Sequence, residues 1–121
     1  MQDFSVISAG EGRIISLPSA TLVVKTGDAD VAGGKVVGEL TAEPGFSGPG
    51  KHSHSDQAEL FYVLDGEFSF QVEDQEIRLC PGMSLIIKPN IAHNYANVSS
   101  ARSRLLVIGV PEEIELYPNV N

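Results

Sequence analysis

The chain has one cysteine, eight basic residues and no apolar run of membrane-spanning length. Each shortage excludes something. Cys80 has no second cysteine to pair with, so an intrachain disulfide framework is ruled out and a reducing, cytoplasmic setting is expected. Eight Lys and Arg against sixteen Asp and Glu leave a net charge of −8, the wrong sign for neutralising phosphates, so nucleic acid is not an expected partner. The longest apolar stretch, Leu105-Leu106-Val107-Ile108-Gly109-Val110, falls far short of the ~20 residues a helix needs to cross a bilayer. The opening residues Met1-Gln2-Asp3-Phe4-Ser5 carry neither a basic segment nor an apolar stretch of signal-peptide length. Helical periodicity of useful length is also missing.

What the chain does have is enough apolar material for a core. Leu, Ile, Val and Phe make 36 of 121 residues, well above the level at which chains stay disordered, and the length suits one domain over residues 1–121. Gly and Pro punctuate it at Gly10 and Gly12, Gly33-Gly34, Pro44-Gly45, Gly48-Pro49-Gly50 and Pro81-Gly82. Between these turn signals lie short β-branched stretches: Ala20–Thr26, Lys35–Thr41, Leu60–Leu64, Ser84–Ile87, Ala92–Ala96 and Arg104–Ile108. Glu67–Val72 alternates strictly, turns at Glu73-Asp74-Gln75 and returns as Glu76–Leu79. The expectation is an all-β fold, a sandwich or barrel, with one short C-terminal helical turn over Pro111–Leu116.

All three histidines belong to one argument. On a strand, His52 and His54 would project from the same face with Cα atoms roughly 6.5 Å apart, close enough to converge on one ion. Glu59 follows five residues later, and His93 would arrive from a segment distant in sequence. A lone strand histidine is more often a surface or core residue than a ligand. It is the shared spacing that favours a metal site.

The segment Gly50-Lys51-His52-Ser53-His54-Ser55-Asp56-Gln57-Ala58-Glu59, running on to Gly66, resembles the first motif of the cupin superfamily: His-x-His, then Glu, then Gly. Gly82, His93 and Asn97 resemble the second at matching offsets, and the 15-residue gap between Gly66 and Gly82 is similar to that of compact bacterial cupins. The resemblance covers residues 45–97. It departs from the family at Gly45, one residue too far from His52, at Lys88 in place of Pro, and at Asn90 in place of Gly. Asn tolerates the left-handed backbone such a turn requires better than other non-Gly residues.

The resemblance implies a double-stranded β-helix or jelly-roll barrel in which His52, His54, Glu59 and His93 bind one divalent transition metal ion, whether Fe, Mn, Ni, Cu or Zn. Such a site suits a metal-dependent enzyme similar to the small quercetin-dioxygenase-like cupins, oxidising a chelating organic substrate. The alternatives are a non-redox isomerase, lyase or cyclase, and a non-catalytic binding module. Fold similarity does not separate them.

If Glu59 points inward, alternation sends Phe61 and Val63 inward with it, and Tyr95 and Asn97 share the face of His93. Most of the aromatics then read as core. Glu59 and Tyr95 are the candidate catalytic residues, Tyr95 as a phenol that orients substrate or donates a proton, or that bonds a backbone carbonyl. The acids Asp28, Asp30, Glu73, Asp74, Glu76, Glu112, Glu113 and Glu115 read as a solvated face, and Cys80 as a packed thiol. A small-molecule substrate is the expected partner. A homodimer is expected as well, with the stretch through Ala20–Thr26 covering a sheet edge.

Overall fold

The computed structural model describes residues 3–27, 35–55 and 57–109; the segment expected to be a helical turn, with Glu112, Glu113 and Glu115, lies outside them, as do Asp28 and Asp30. Among the described residues nine strands form: β1 (Arg13–Leu17), β2 (Ala20–Val24), β3 (Val36–Ala42), β4 (Glu59–Asp65), β5 (Phe68–Val72), β6 (Gln75–Leu79), β7 (Ser84–Ile87), β8 (His93–Asn97) and β9 (Ser103–Gly109). They build a six-stranded sheet, β1-β2-β3-β9-β4-β7, and a three-stranded sheet, β6-β5-β8, with every pairing antiparallel. The described residues contain no helix. This is the all-β jelly-roll arrangement expected from the sequence.

The core follows from the two-residue period of the strands. β3 and β9 alternate buried and half-buried residues along their whole length. Leu22, Leu40, Phe61, Val63, Phe68, Phe70 and Leu105 are fully enclosed, and each such burial contributes roughly 1.5–3 kcal/mol. Phe61 and Val63 do point inward with Glu59, while Tyr62 lies on the solvent side. The expected hairpin is present, Val72 pairing with Gln75 across Glu73 and Asp74. Glu73, Asp74 and Glu76 are exposed, as a solvated face requires.

Four readings from sequence need correction. β1 was not foreseen. Its Arg13-Ile14-Ile15-Ser16-Leu17 is an outer strand buried fully only at Leu17, so it lacks clean alternation. His52 and His54 lie on no regular strand; their segment joins the sheets by a single bridge between His52 and His93. Cys80 is exposed rather than packed, because the strand ends at Leu79 and the chain turns outward through Pro81-Gly82. Finally, within the N-terminal stretch expected to cover a sheet edge, β1 takes the edge and Ala20–Val24 does not. It is an interior strand paired to both β1 and β3.

Candidate metal centre

Two local devices deliver the three histidines and the carboxylate. Glu59 and His93 are the first residues of β4 and β8, so both stand at strand starts with their side chains on inward faces. His52 and His54 come from the loop before β4, which is pinned onto the other sheet. His52 N–H donates to His93 O at 3.0 Å and His93 N–H donates to His52 O at 2.8 Å, while Asn90 N–H donates to His54 O at 2.7 Å. Asn90 adopts φ 70°, the left-handed conformation anticipated for a residue standing where the family has glycine. Asn94, on the opposite face of β8 from the ligands, steadies the loop from behind: its Oδ1 accepts from Gly50 N–H at 3.1 Å and its Nδ2 donates to Ser47 O at 3.2 Å. Gly48 (φ 94°) fits against this clamp, where a Cβ would collide with the Asn94 side chain and the Tyr95 carbonyl. Nothing in the motif spacing flags Asn94, since its role depends on a loop distant in sequence.

The four side chains meet. One ligand atom from each of His52, His54, Glu59 and His93 lies within 4.8 Å of the others. His54, Glu59 and His93 are buried and His52 is half-buried. Two backbone carbonyls aim the rings: His52 Nδ1 donates to Gly50 O and His93 Nδ1 donates to Ile91 O, both at 2.8 Å. With the proton held on Nδ1, each Nε2 is left facing the centre, the orientation that metal-binding imidazoles are given by their carbonyl partners.

Without an ion these groups satisfy one another incompletely. His93 Nε2 lies 2.6 Å from Glu59 Oε1. Since Nδ1 is already donating, that contact needs a second proton. Burial alone would lower the pKa of His93, but the hydrogen bond to Glu59, the Ile91 carbonyl and the Glu59 charge outweigh it and hold the pKa above the ordinary histidine value. His52 goes the other way: burial lowers its pKa, the Gly50 carbonyl offsets only part of this, and His93 and His54 lower it further. His54 Nε2 is the telling atom. It is buried with no hydrogen-bond partner, its 3.3 Å approach to Glu59 Oε1 being misaligned for one. An orphaned buried polar nitrogen costs roughly 1–3 kcal/mol.

A metal ion fits this arrangement. It would give His54 Nε2 a partner, replace the extra proton between His93 and Glu59, and accept the lone pair that His52 Nε2 presents. Ligands at ~2.1 Å from an ion span at most ~4.2 Å across it, so the widest pair, up to 4.8 Å apart, closes by a few tenths of an ångström. Three imidazoles and a carboxylate suit a six-coordinate transition metal, which keeps two positions open; on tetrahedral zinc they leave none.

Below the ligands lies an aromatic layer. Tyr95, on the inward face of β8 with His93, stacks on Phe70 (centroids 5.3 Å, 27° between planes) and meets Phe61 at 5.3 Å and Phe46 at 6.0 Å. Phe61 in turn lies 6.0 Å from the His93 ring. Asn97, next on that face, is a structural clamp: Nδ2 donates to Ala42 O and Ala101 O, and Oδ1 accepts from Ser99 and Ser103.

Comparison with known proteins identifies the fold and the family. The cupin domain family matches residues 38–109. A predicted oxalate decarboxylase from Thermotoga maritima is similar in structure, with a TM-score of 0.77 at 15% identity over 89% of this chain and 100% of that one. An RmlC-like cupin from Shewanella frigidimarina gives a TM-score of 0.75 at 19% identity, covering 96% of this chain and 99% of its own. The iron(II) form of HppE gives 0.73 at 17% identity, covering 90% of this chain and 62% of its own. No curated protein matches the sequence significantly. The family match spans more than half of the chain, both of its motifs and all four clustered ligands, and the protein belongs to the cupin family.

Proposed function

We propose that the protein is a metal-dependent enzyme, a dioxygenase-like oxidoreductase acting on a chelating organic substrate, and that it works as a homodimer. The observation that carries this reading is the His52, His54, Glu59, His93 set with its orphaned His54 Nε2, a donor set that a bound ion would complete. Bound there, an Fe, Mn, Ni or Cu ion supplies two exchangeable positions, Lewis acidity and access to dioxygen chemistry. The iron(II) in the structurally similar HppE lends support to the redox form of the reading.

The chain's own residues would do the rest. Three imidazoles hold the ion and Glu59 balances its charge. To hold an ion, His93 and Glu59 would give up to solvent the proton they share. Phe61, Phe70 and Phe46 give the centre an apolar floor that limits water. Tyr95, buried in that layer and two residues beyond His93 on the same face of β8, is the proposed group for orienting substrate or donating a proton.

The test is dioxygen uptake by metal-loaded protein across a panel of chelating acids and enols, beside a Tyr95→Phe variant. Substrate-dependent uptake, reduced about tenfold or more in the variant, is the expected result. Turnover without dioxygen consumption would replace this reading with a non-redox isomerase, lyase or cyclase.

A further inference from the structure

The alternation of β4 continues for one step before its first residue. Gln57 is buried, Ala58 exposed, Glu59 buried, Leu60 half-buried and Phe61 buried. Gln57 therefore shares the inward face with the Glu59 carboxylate, and in extended chain their Cα atoms stand roughly 6.5 Å apart. Because Glu59 opens β4, Gln57 lies one step nearer the end of the barrel than the carboxylate, beside the His52, His54, Glu59, His93 cluster.

The amide of Gln57 has nothing in the protein to bond. The residue is only 6% exposed, yet among the described residues its Nε2 and Oε1 have no hydrogen-bond partner. Nor are they sealed in. Among the described residues His54 Nε2 is the one side-chain nitrogen or oxygen that is both fully enclosed and unpartnered, so the sliver of Gln57 that stays accessible includes its amide. Glu59 Oε2 is in the same position, since both histidine contacts of the carboxylate go to Oε1. Two polar groups, neighbours on one face, are thus held open beside the ligand cluster.

Packing does not call for an amide here. The next inward residues of β4, Phe61 and Val63, are apolar and fully enclosed. A largely buried amide without a partner is unfavourable until something supplies one. Its two donors and one acceptor can recognise a ligand without adding charge next to Glu59.

We propose that Gln57 is the specificity-determining residue of the metal site: its Nε2 donates to the uncoordinated oxygen of a carboxylate that chelates the ion through its other oxygen and a neighbouring keto or hydroxyl oxygen. The inference rests on the metal-dependent reading above and narrows its chelating substrate to an α-keto or α-hydroxy acid. A site built to bond a ligand atom discriminates against the analogue that lacks it, because the protein group is then left unpaired.

The test sets pyruvate against N-methylacetohydroxamate. Both bind as monoanions and close a five-membered chelate through two oxygens. Only pyruvate keeps a free oxygen beside the chelate; the hydroxamate carries a methyl group there. Calorimetry measures both on metal-loaded wild type and on Gln57→Met, which keeps the side-chain length and removes the donor. Gln57→Leu is the second variant should the first fold poorly, and metal content is read on every sample.

The expected result is unchanged metal content, pyruvate binding weakened about tenfold or more in the variant, and hydroxamate binding within about twofold of wild type. Pyruvate binding that the variant retains overturns the proposal and leaves the metal-dependent reading standing. Loss of the ion, or equal weakening of both probes, also overturns it, because Gln57 would then hold the centre together rather than select its ligand. A wild type that retains no ion after reconstitution overturns both readings, and metal analysis separates that outcome from the others.

Discussion

At the residue scale, the site trades stability for a vacancy in hydrogen bonding. His54 Nε2 is desolvated and unpaired in the metal-free protein, so His54→Leu should leave metal-free stability unchanged or raise it by about 1 kcal/mol while greatly reducing metal uptake. Urea denaturation in chelator reads the first effect and metal analysis the second; a loss of more than about 2 kcal/mol would show that the imidazole is a structural group.

The protonation of His93 gives a second outcome. Its raised pKa, dominated on the raising side by Glu59, means that metal must displace a proton. Metal affinity should therefore climb from pH 6 to pH 8. Calorimetry in buffers of different ionisation enthalpy should detect proton release; buffer-independent heats would contradict the pairing. In metal-free protein the same raised pKa contributes stability that is fully present below the ordinary histidine value and is lost as pH rises through the His93 value. His52, with its lowered pKa, acts in the opposite sense: its contribution is present above the ordinary value and lost as pH falls.

At the scale of elements, the site depends on turns that hold strands in place. β4 slips register against β9 between Val63 and Asp65, and the chain then turns at Gly66 with φ 79°. A Cβ at Gly66 would collide with the Ser103 side chain and lie 2.9 Å from Ser103 Cα. Gly66→Ala should destabilise the fold by about 2 kcal/mol or more, through both backbone strain and overlap. Thermal melting checks this, and a shift within error would mean that the β4–β5 turn relaxes freely.

This is also the scale at which the sequence was most and least legible. Strict alternation at Phe68-Ser69-Phe70-Gln71-Val72 and the turn at Glu73-Asp74 reveal β5 and β6 directly, because each residue's environment there is set by its immediate neighbours. The four clustered residues, His52, His54, Glu59 and His93, were legible through their spacing. β1 was hidden since a largely exposed outer strand needs little hydrophobic pattern. The i, i+2 spacing of His52 and His54 suits a strand, but the shape of their segment is set by Asn94, Asn90 and His93, whose partnership with it exists only after the sheets assemble.

At the scale of the whole molecule, among the described residues the large sheet ends on β1 and β7, which expose Ile14 and Ile86 at 62% and 67%. Unpaired edges and exposed apolar side chains favour association. The proposed homodimer should sediment at twice the chain mass at micromolar concentration, and a monomer across that range would remove it.

The central claim is that this cupin is built around one redox-capable metal ion, and metal content tests it most directly. Inductively coupled plasma mass spectrometry of freshly purified protein, beside His93→Ala, should find close to one equivalent of Fe, Mn, Ni or Cu per wild-type chain and little in the variant. One equivalent of Zn would contradict the redox form of the claim. No metal in the wild type, even after reconstitution, would contradict the claim itself.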